Sequence, residues 1–194
     1  MSGQLGEARR HQDPAFVGGG DPDRADVLAA QQDRSAFDVL YRRYLDRVYG
    51  YAFYQLRDHH DAEDATERTF LAALRALPEF RSEGATFRAW LFRIAHNTIV
   101  NARRSRFRRR TEPLPDGMER IAPNADPAGL VLEADETRRV LRAVAELAED
   151  RRQVILLRFV DGLSSREIGQ VMDRSEGAAR VLLHRALRDL AARL

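Results

Sequence analysis

Apolar residues recur at spacings of three and four along most of this chain, and nowhere do they alternate in twos. Phe37, Leu40, Tyr41, Tyr44, Val48 and Tyr51 form one stripe, the mark of a helix with a single buried face. The stretch Leu56 to Asp61 interrupts it. From about Ala62 the stripe resumes through Ala65, Thr69, Phe70, Ala73 and Leu77, and Pro78 ends the helix. A loop with Gly84 runs from Pro78 to Thr86. Thr86 is placed to cap a third helix, with Phe87, Leu91, Ile94, Thr98 and Ala102 inward. That helix continues into Arg103–Arg110, six Arg in eight positions.

The pattern returns after a gap. Val140, Leu141, Val144 and Leu147 predict a short helix, and Val154, Ile155, Leu157 and Phe159 the next. Ser164-Ser165-Arg166-Glu167 reads as a capping box opening a short helix to about Met172. Asp173-Arg174 turns the chain, and Ser175 caps a last helix with Ala179, Leu183, Ala186 and Leu190 inward. The expected fold is therefore all-α. Two small helical domains, 35–110 and 138–194, are joined by a Pro-containing connection over 111–137. Residues 1–34 are expected to be a flexible N-terminal segment, with helix starting near Asp26.

Charge sharpens this division. All 32 basic residues are Arg, and the net charge is only +2. Residues 1–34 hold four Arg against six acids, 35–110 fifteen against nine, 111–137 one against seven, and 138–194 twelve against eight. Two basic blocks flanking an acidic segment of net −6 suit a polyanion gripped at two places. There is no Cys, which removes disulfides, thiolate metal sites and thiol nucleophiles together. Met1 to Gly20 lack the basic-then-apolar order expected of a secretory leader, and no run of 18 apolar residues suggests a membrane span.

The closing helix pair predicts a helix-turn-helix, whose second helix offers the N-terminal part of its outer face to a major groove. That face is Arg174, Ser175, Glu176, Gly177, Arg180, Val181, His184 and Arg185. The third helix carries Arg88, Arg93, His96, Asn97 and Asn101 outward, with aromatic Phe80, Phe87, Trp90 and Phe92 nearby. Asn pairs with adenine edges, Arg with guanine or phosphate, and rings stack on unpaired bases. His59, His60, Asp61, Glu63 and Asp64 are a dense ionisable cluster, but their spacing matches no metal or catalytic motif. No catalytic residue, metal or cofactor is expected.

Ala62-Glu63-Asp64 with Thr69-Phe70-Leu71, Ala76 to Arg81, and Phe87 to Asn97 resemble region 2 of extracytoplasmic-function sigma factors. Leu156 to Ser164, Arg166-Glu167-Ile168 and Ser175 to Arg180 resemble region 4. The resemblance implies a cytoplasmic subunit that lends promoter recognition to RNA polymerase. Glu63, Asp64, Thr66, Glu67, Phe70 and Leu71 would dock on the β′ clamp helices, and the second domain on the β flap. Phe80 and Arg81 would line a loop that captures a flipped base. Arg88, Trp90, Asn97, Asn101, Arg103 and Arg104 would read and hold the −10 element, and the last helix the −35 element. It also implies an anti-sigma factor as partner, and a connection that lies in the path of nascent RNA. Many relatives have Gln and an acid at Glu67-Arg68, and Ser-Arg at Val181-Leu182. The competing reading is a classical helix-turn-helix repressor or activator that binds duplex without polymerase.

Overall fold

The computed structural model describes residues 21–82, 84–111 and 135–194, and every regular element among them is helical. The first unit comprises α1 (Arg24–Gln32), α2 (Phe37–Leu56), α3 (His59–Ala76) and α4 (Phe87–Thr111). The second comprises α5 (Asp135–Ala145), α6 (Glu149–Ile155), α7 (Ser165–Met172) and α8 (Glu176–Ala191).

The core of the first unit is the stripe that the spacing predicts. Leu40, Tyr44, Val48 and Tyr51 of α2 meet Ala62, Ala65, Phe70 and Ala73 of α3 and Phe87, Leu91 and Phe92 of α4, all buried. The break between α2 and α3 is only Arg57-Asp58. Arg57 takes a left-handed conformation and its amide closes on Phe53 O at 2.7 Å. The Asp58 carboxylate then caps α3 by accepting from the Asp61 amide. Thr86 caps α4, its hydroxyl accepting from the Ala89 amide at 3.2 Å.

The N-terminal expectation is corrected for residues 21–34, which are part of the folded unit. Val27 and Ala30 are buried. Asp23 is buried and accepts from both Arg43 and the Tyr44 hydroxyl at 2.5 Å. The Gln31 amide donates to Leu77 O and Phe80 O at 2.8 and 2.9 Å, and Asp21 accepts from the Phe87 amide at 2.6 Å. A polar segment is ordered here because its side chains satisfy backbone groups left over at the end of α3 and the start of α4.

Four expected core positions in α4 and after α6 also differ. On α4, Ile94, Thr98 and Ala102 are half-buried, whereas Ala95 and Ile99 are buried. The helix is covered on two sides, by α2 and α3 and by the second unit, so its apolar stripe is broader and rotated. Phe159 is 62% exposed. Residues Leu156–Val160 form one π turn, closed by the Asp161 amide on Leu156 O, and the added residue swings Phe159 out of register.

The second unit follows its caps. Ser164 and Glu167 form the reciprocal capping box of α7, and the Ser175 hydroxyl accepts from the Ala178 amide to cap α8. Asp173, left-handed at φ 54°, makes the turn between them. This unit packs directly on the first, α7 against α4 and α6 against α2. The connecting residues 112–134 lie outside the described residues.

Candidate nucleic-acid interface and docking groove

Three surfaces gather the residues singled out in the sequence. The first is a groove of about 700 Å³ between α2 and α3. Phe37, Tyr41, Leu45 and Tyr49 form one wall and Phe70, Leu71 and Leu74 the other, with Glu63, Glu67 and Asp46 on the rim. Tyr41 and Phe70 meet edge to face at 4.8 Å, and Leu71 is 44% exposed, an unusual exposure for an apolar side chain in so well packed a helix pair. Of the expected docking residues, Glu63, Thr66, Glu67, Phe70 and Leu71 line this groove. Asp64 instead faces Arg68 at 3.4 Å and His60 at 3.8 Å. Thr66 is buried and its hydroxyl donates to Ala62 O. The ionisable cluster at the start of α3 does not converge: His59 stacks on Phe53 at 4.4 Å and meets the Tyr49 hydroxyl at 2.6 Å.

The second surface is α4. Its 3.6-residue period puts Arg93, Asn97, Asn101 and Arg104 on one side, and all four are exposed. Arg88, His96 and Arg103 lie on the opposite side, against the second unit. Arg88 holds Glu167 with one guanidinium nitrogen at 3.1 and 3.2 Å from the two carboxylate oxygens, and Arg103 is paired with Glu149. The expected outward row of this helix therefore divides into an open half and a covered half. The Phe80 ring also departs from its expected place. It is buried among Trp90 at 4.7 Å and Phe87 at 6.0 Å, so it supports the loop from inside. Trp90 is half-buried in the same cluster. Arg81 is exposed and its guanidinium donates to Pro78 O and Phe80 O, both at 3.0 Å. The side chains of 106–110 lie outside the described residues.

The third surface is the outer face of α8. Arg174, Ser175, Glu176, Gly177, Arg180, Val181, His184 and Arg185 are all exposed. Arg180 pairs with Glu176 one turn back at 2.6 Å, and Arg174 with Asp150 at 2.5 Å. Exposed pairs of this kind contribute about 0–1 kcal/mol, so either Arg is readily exchanged to a phosphate or base. A Cβ at Gly177 would meet nothing within 4 Å, so the fold itself leaves that space open for an approaching backbone.

The contact between the units has no forerunner in the sequence reading. Burial pushes the Glu167 carboxyl up, but the Thr86 hydroxyl at 2.6 Å, the Ser164 amide and Arg88 outweigh it and hold the group below its usual range. Burial lowers His96, whose Nδ1 lies 2.6 Å from Gln153 Nε2 and so accepts from that amide. Asp161 is wholly buried. Among the described residues neither of its carboxylate oxygens has a donor, and burial pushes it well above the usual carboxylate range. The only sequence signal for this surface was polar Arg152-Gln153 and Asp161 set within an apolar run; all three are buried.

A helical unit with a row of exposed Arg and Asn on α4, followed by a helix-turn-helix, defines the architecture, and comparison with known proteins identifies its family. The sigma-70 region 2 model matches residues 40–109 and the sigma-70 region 4 model residues 137–190. The chain is 38% identical to the ECF RNA polymerase sigma factor BldN of Streptomyces coelicolor, over 82% of this chain and 60% of that protein. It is 33% identical to the ECF RNA polymerase sigma-E factor of Haemophilus influenzae, over 84% of this chain and 90% of that protein. CnrH, solved in complex with the cytosolic domain of CnrY, superposes with a TM-score of 0.64 at 26% identity, covering 88% of this chain and 95% of that one. The chain belongs to the extracytoplasmic-function sigma factors of the sigma-70 family. It spans less than two thirds of the length of some curated relatives, BldN among them. No helix of the described residues is long and apolar enough to cross a membrane.

Proposed function

We propose that the chain is a dissociable promoter-specificity subunit of RNA polymerase, working in the cytoplasm and performing no bond chemistry of its own. The observation that carries this reading is the separation of an apolar docking groove on α2 and α3 from two exposed reading faces, on α4 and α8. A repressor needs only a reading face and a dimer contact; a polymerase subunit needs a third surface for the enzyme. The groove is the site for the β′ clamp helices. The exposed apolar Phe159 and Val160 suit a second, weaker contact with the β flap. Two modest DNA contacts on one polymerase multiply through effective concentration. CnrH is solved in complex with the cytosolic domain of CnrY, and an anti-sigma factor is the partner proposed to compete with polymerase here. Transcription in vitro with core polymerase on genomic fragments, with start sites mapped, tests the reading. Tight, specific duplex binding without core, and no transcription with it, would select the repressor instead.

Three expected outcomes follow from the surfaces. Glu67→Arg adds a second cation beside Arg68 on the groove rim. It is expected to weaken capture of core polymerase by roughly tenfold with folding intact, since exposed helix positions seldom cost more than about 0.5 kcal/mol. Undiminished pull-down of core moves the docking surface elsewhere. Asn97→Ala and Asn101→Ala are each expected to lose discrimination between −10 sequences by about 1–3 kcal/mol. Arg104→Ala, a phosphate contact, should weaken all sequences alike and flatten the salt dependence. Equal losses on every promoter for the Asn variants would make them structural. Arg180→Ala is expected to reduce transcription from promoters with the native −35 element, partly rescued by a strong −10 element. Sparing of promoters altered at one base pair would mark it as a base reader, a uniform loss as a phosphate clamp. Full activity everywhere would mean that this side of α8 does not face DNA.

A further inference from the structure

The turn that ends α3 is fastened by a residue from outside it. Gln31, near the end of α1 and half-buried, uses both hydrogens of its side-chain amide. One goes to Leu77 O at 2.8 Å and the other to Phe80 O at 2.9 Å. Arg81 folds back on the same turn, one guanidinium nitrogen donating to Phe80 O and Pro78 O. Phe80 O is thus shared between a fixed amide and an exposed cation. Ahead of α4, Asp21 accepts from the Phe87 amide. Neither Gln31 nor Asp21 belongs to the residues matched by the region 2 model, which begins at Leu40.

The chemistry of the turn calls for an amide at this position. The 3-10 turn Leu77–Glu79 contains Pro78, which has no N–H to give, and it closes through the Phe80 amide on Leu77 O at 3.0 Å. Val27 and Ala30 seat α1 in the core, so Gln31 reaches the turn from a fixed base. Its neutral side chain bridges two carbonyls with no charge to bury. Leucine of similar volume would keep the packing and supply no donor. Glutamate would set its own oxygens against two carbonyl oxygens. The Phe80 ring packs on Trp90 at 4.7 Å, so anchoring these carbonyls sets where the ring sits inside and where Arg81 emerges outside.

We propose that Gln31 is a positioning residue for the unpaired base of the −10 element: by holding the Leu77 and Phe80 carbonyls it presents Arg81 and the half-buried Trp90 ring in one arrangement before DNA arrives. The role toward a base rests on the proposed polymerase function; the anchoring does not, and the free chain reports it. Capture of a base costs unstacking, and a turn already ordered draws no further binding energy for its own ordering. Two hydrogen bonds lost from the turn correspond to roughly tenfold in that step.

Trp90 is the chain's only tryptophan, so its emission reads the turn directly. In the free, full-length chain Gln31→Leu is expected to redden Trp90 emission and speed its quenching by acrylamide, with helicity by circular dichroism unchanged. Gln32→Ala, at the exposed neighbour, should change neither. Gln31→Glu should behave like Gln31→Leu at neutral pH and regain the native emission as pH falls toward the carboxyl range near about 4.3, where the protonated group donates again. Gln31→Leu titrated alongside accounts for the other carboxyls. With core polymerase and a promoter carrying 2-aminopurine in the −10 element, Gln31→Leu should lower base unpairing roughly tenfold. Capture of core and affinity for a −35 duplex should stay unchanged. Native Trp90 emission in Gln31→Leu, or no recovery in Gln31→Glu, overturns the anchoring. Should Gln31→Leu lose helicity, the reversible titration of Gln31→Glu carries the test. Altered emission with full unpairing overturns the positioning role. If the unaltered chain opens no promoter with core, the functional reading falls, and Trp90 still decides the anchoring.

Discussion

Gly169→Ala is expected to disrupt the helix-turn-helix and remove duplex binding through α8, while the α1–α4 unit stays folded. Gly169 is buried in α7, where the chain turns toward α8. A Cβ there would sit 2.6 Å from Arg174 O, 3.3 Å from the Ser175 carbonyl carbon and 3.4 Å from the Glu176 nitrogen. All three are backbone atoms. They are held in place by the Arg174 amide on Gly169 O at 2.8 Å, by left-handed Asp173 and by the Ser175 cap. Relief therefore requires moving α8 as a body. Overpacking of this kind costs about 1–3 kcal/mol. The helix-propensity gain from Gly to Ala returns at most about 0.5–1 kcal/mol, so the clash wins. Hydrogen exchange of the amides from Arg174 to Ala179 should accelerate, and affinity for a −35 duplex should fall at least tenfold. Unchanged exchange together with unchanged affinity would show that the turn has slack that the distances do not reveal.

Asp161→Asn is expected to act in the opposite direction and stabilise the packing of the two units. The amide is neutral, so it escapes the cost of burying a carboxylate charge, or of protonating it to avoid that burial. The Arg47 and Arg88 guanidiniums approach the Asp161 backbone carbonyl at 3.4 Å and favour the charged carboxylate, but burial outweighs them. The sign of the pH dependence follows. A carboxyl raised by burial binds its proton more tightly in the packed state. Its contribution to packing is complete below the ordinary value of 3.8 and is lost as pH rises through the raised one. An amide does not titrate. The variant's advantage should therefore be full at alkaline pH and vanish near pH 4, with Glu167, Asp21 and His96 cancelling because both proteins contain them. Thermal melting of the two proteins across pH checks this. A constant difference, or a less stable variant, would mean that the carboxylate is satisfied in solution.

Helix identity was readable because it depends on near neighbours. The stripe from Phe37 to Tyr51, the Ser164–Glu167 box and the Ser175 cap are all decided within four residues, and each is found where its spacing puts it. The groove was partly legible. Glu63, Glu67, Phe70 and Leu71 share a helical face in any α3, whereas the wall supplied by Tyr41 and Tyr49 emerges only once α2 is packed beside it. The contact between the units was not legible. Arg88 at the start of α4 reads as a phosphate binder, and nothing within four residues signals a carboxylate 79 positions away. Phe80 misled for a related reason: an aromatic in a loop suits base stacking and core filling equally, and long-range packing against Phe87 and Trp90 decides. The π turn at Leu156–Val160 escaped because one extra residue per turn leaves composition unchanged.

The hydrogen bonds from Gln31 to Leu77 and Phe80 carry a lesson about where this protein is divisible. The match to the family model begins at Leu40, yet the strut that holds the loop before α4 comes from α1, and Asp21 holds the first turn of α4 itself. A fragment cut at the family boundary would keep the reading helix and lose the brace behind it. A portable unit must include residues 21–39, and any graft or shuffled chimera of this region inherits its loop stiffness from residues that the family boundary leaves behind.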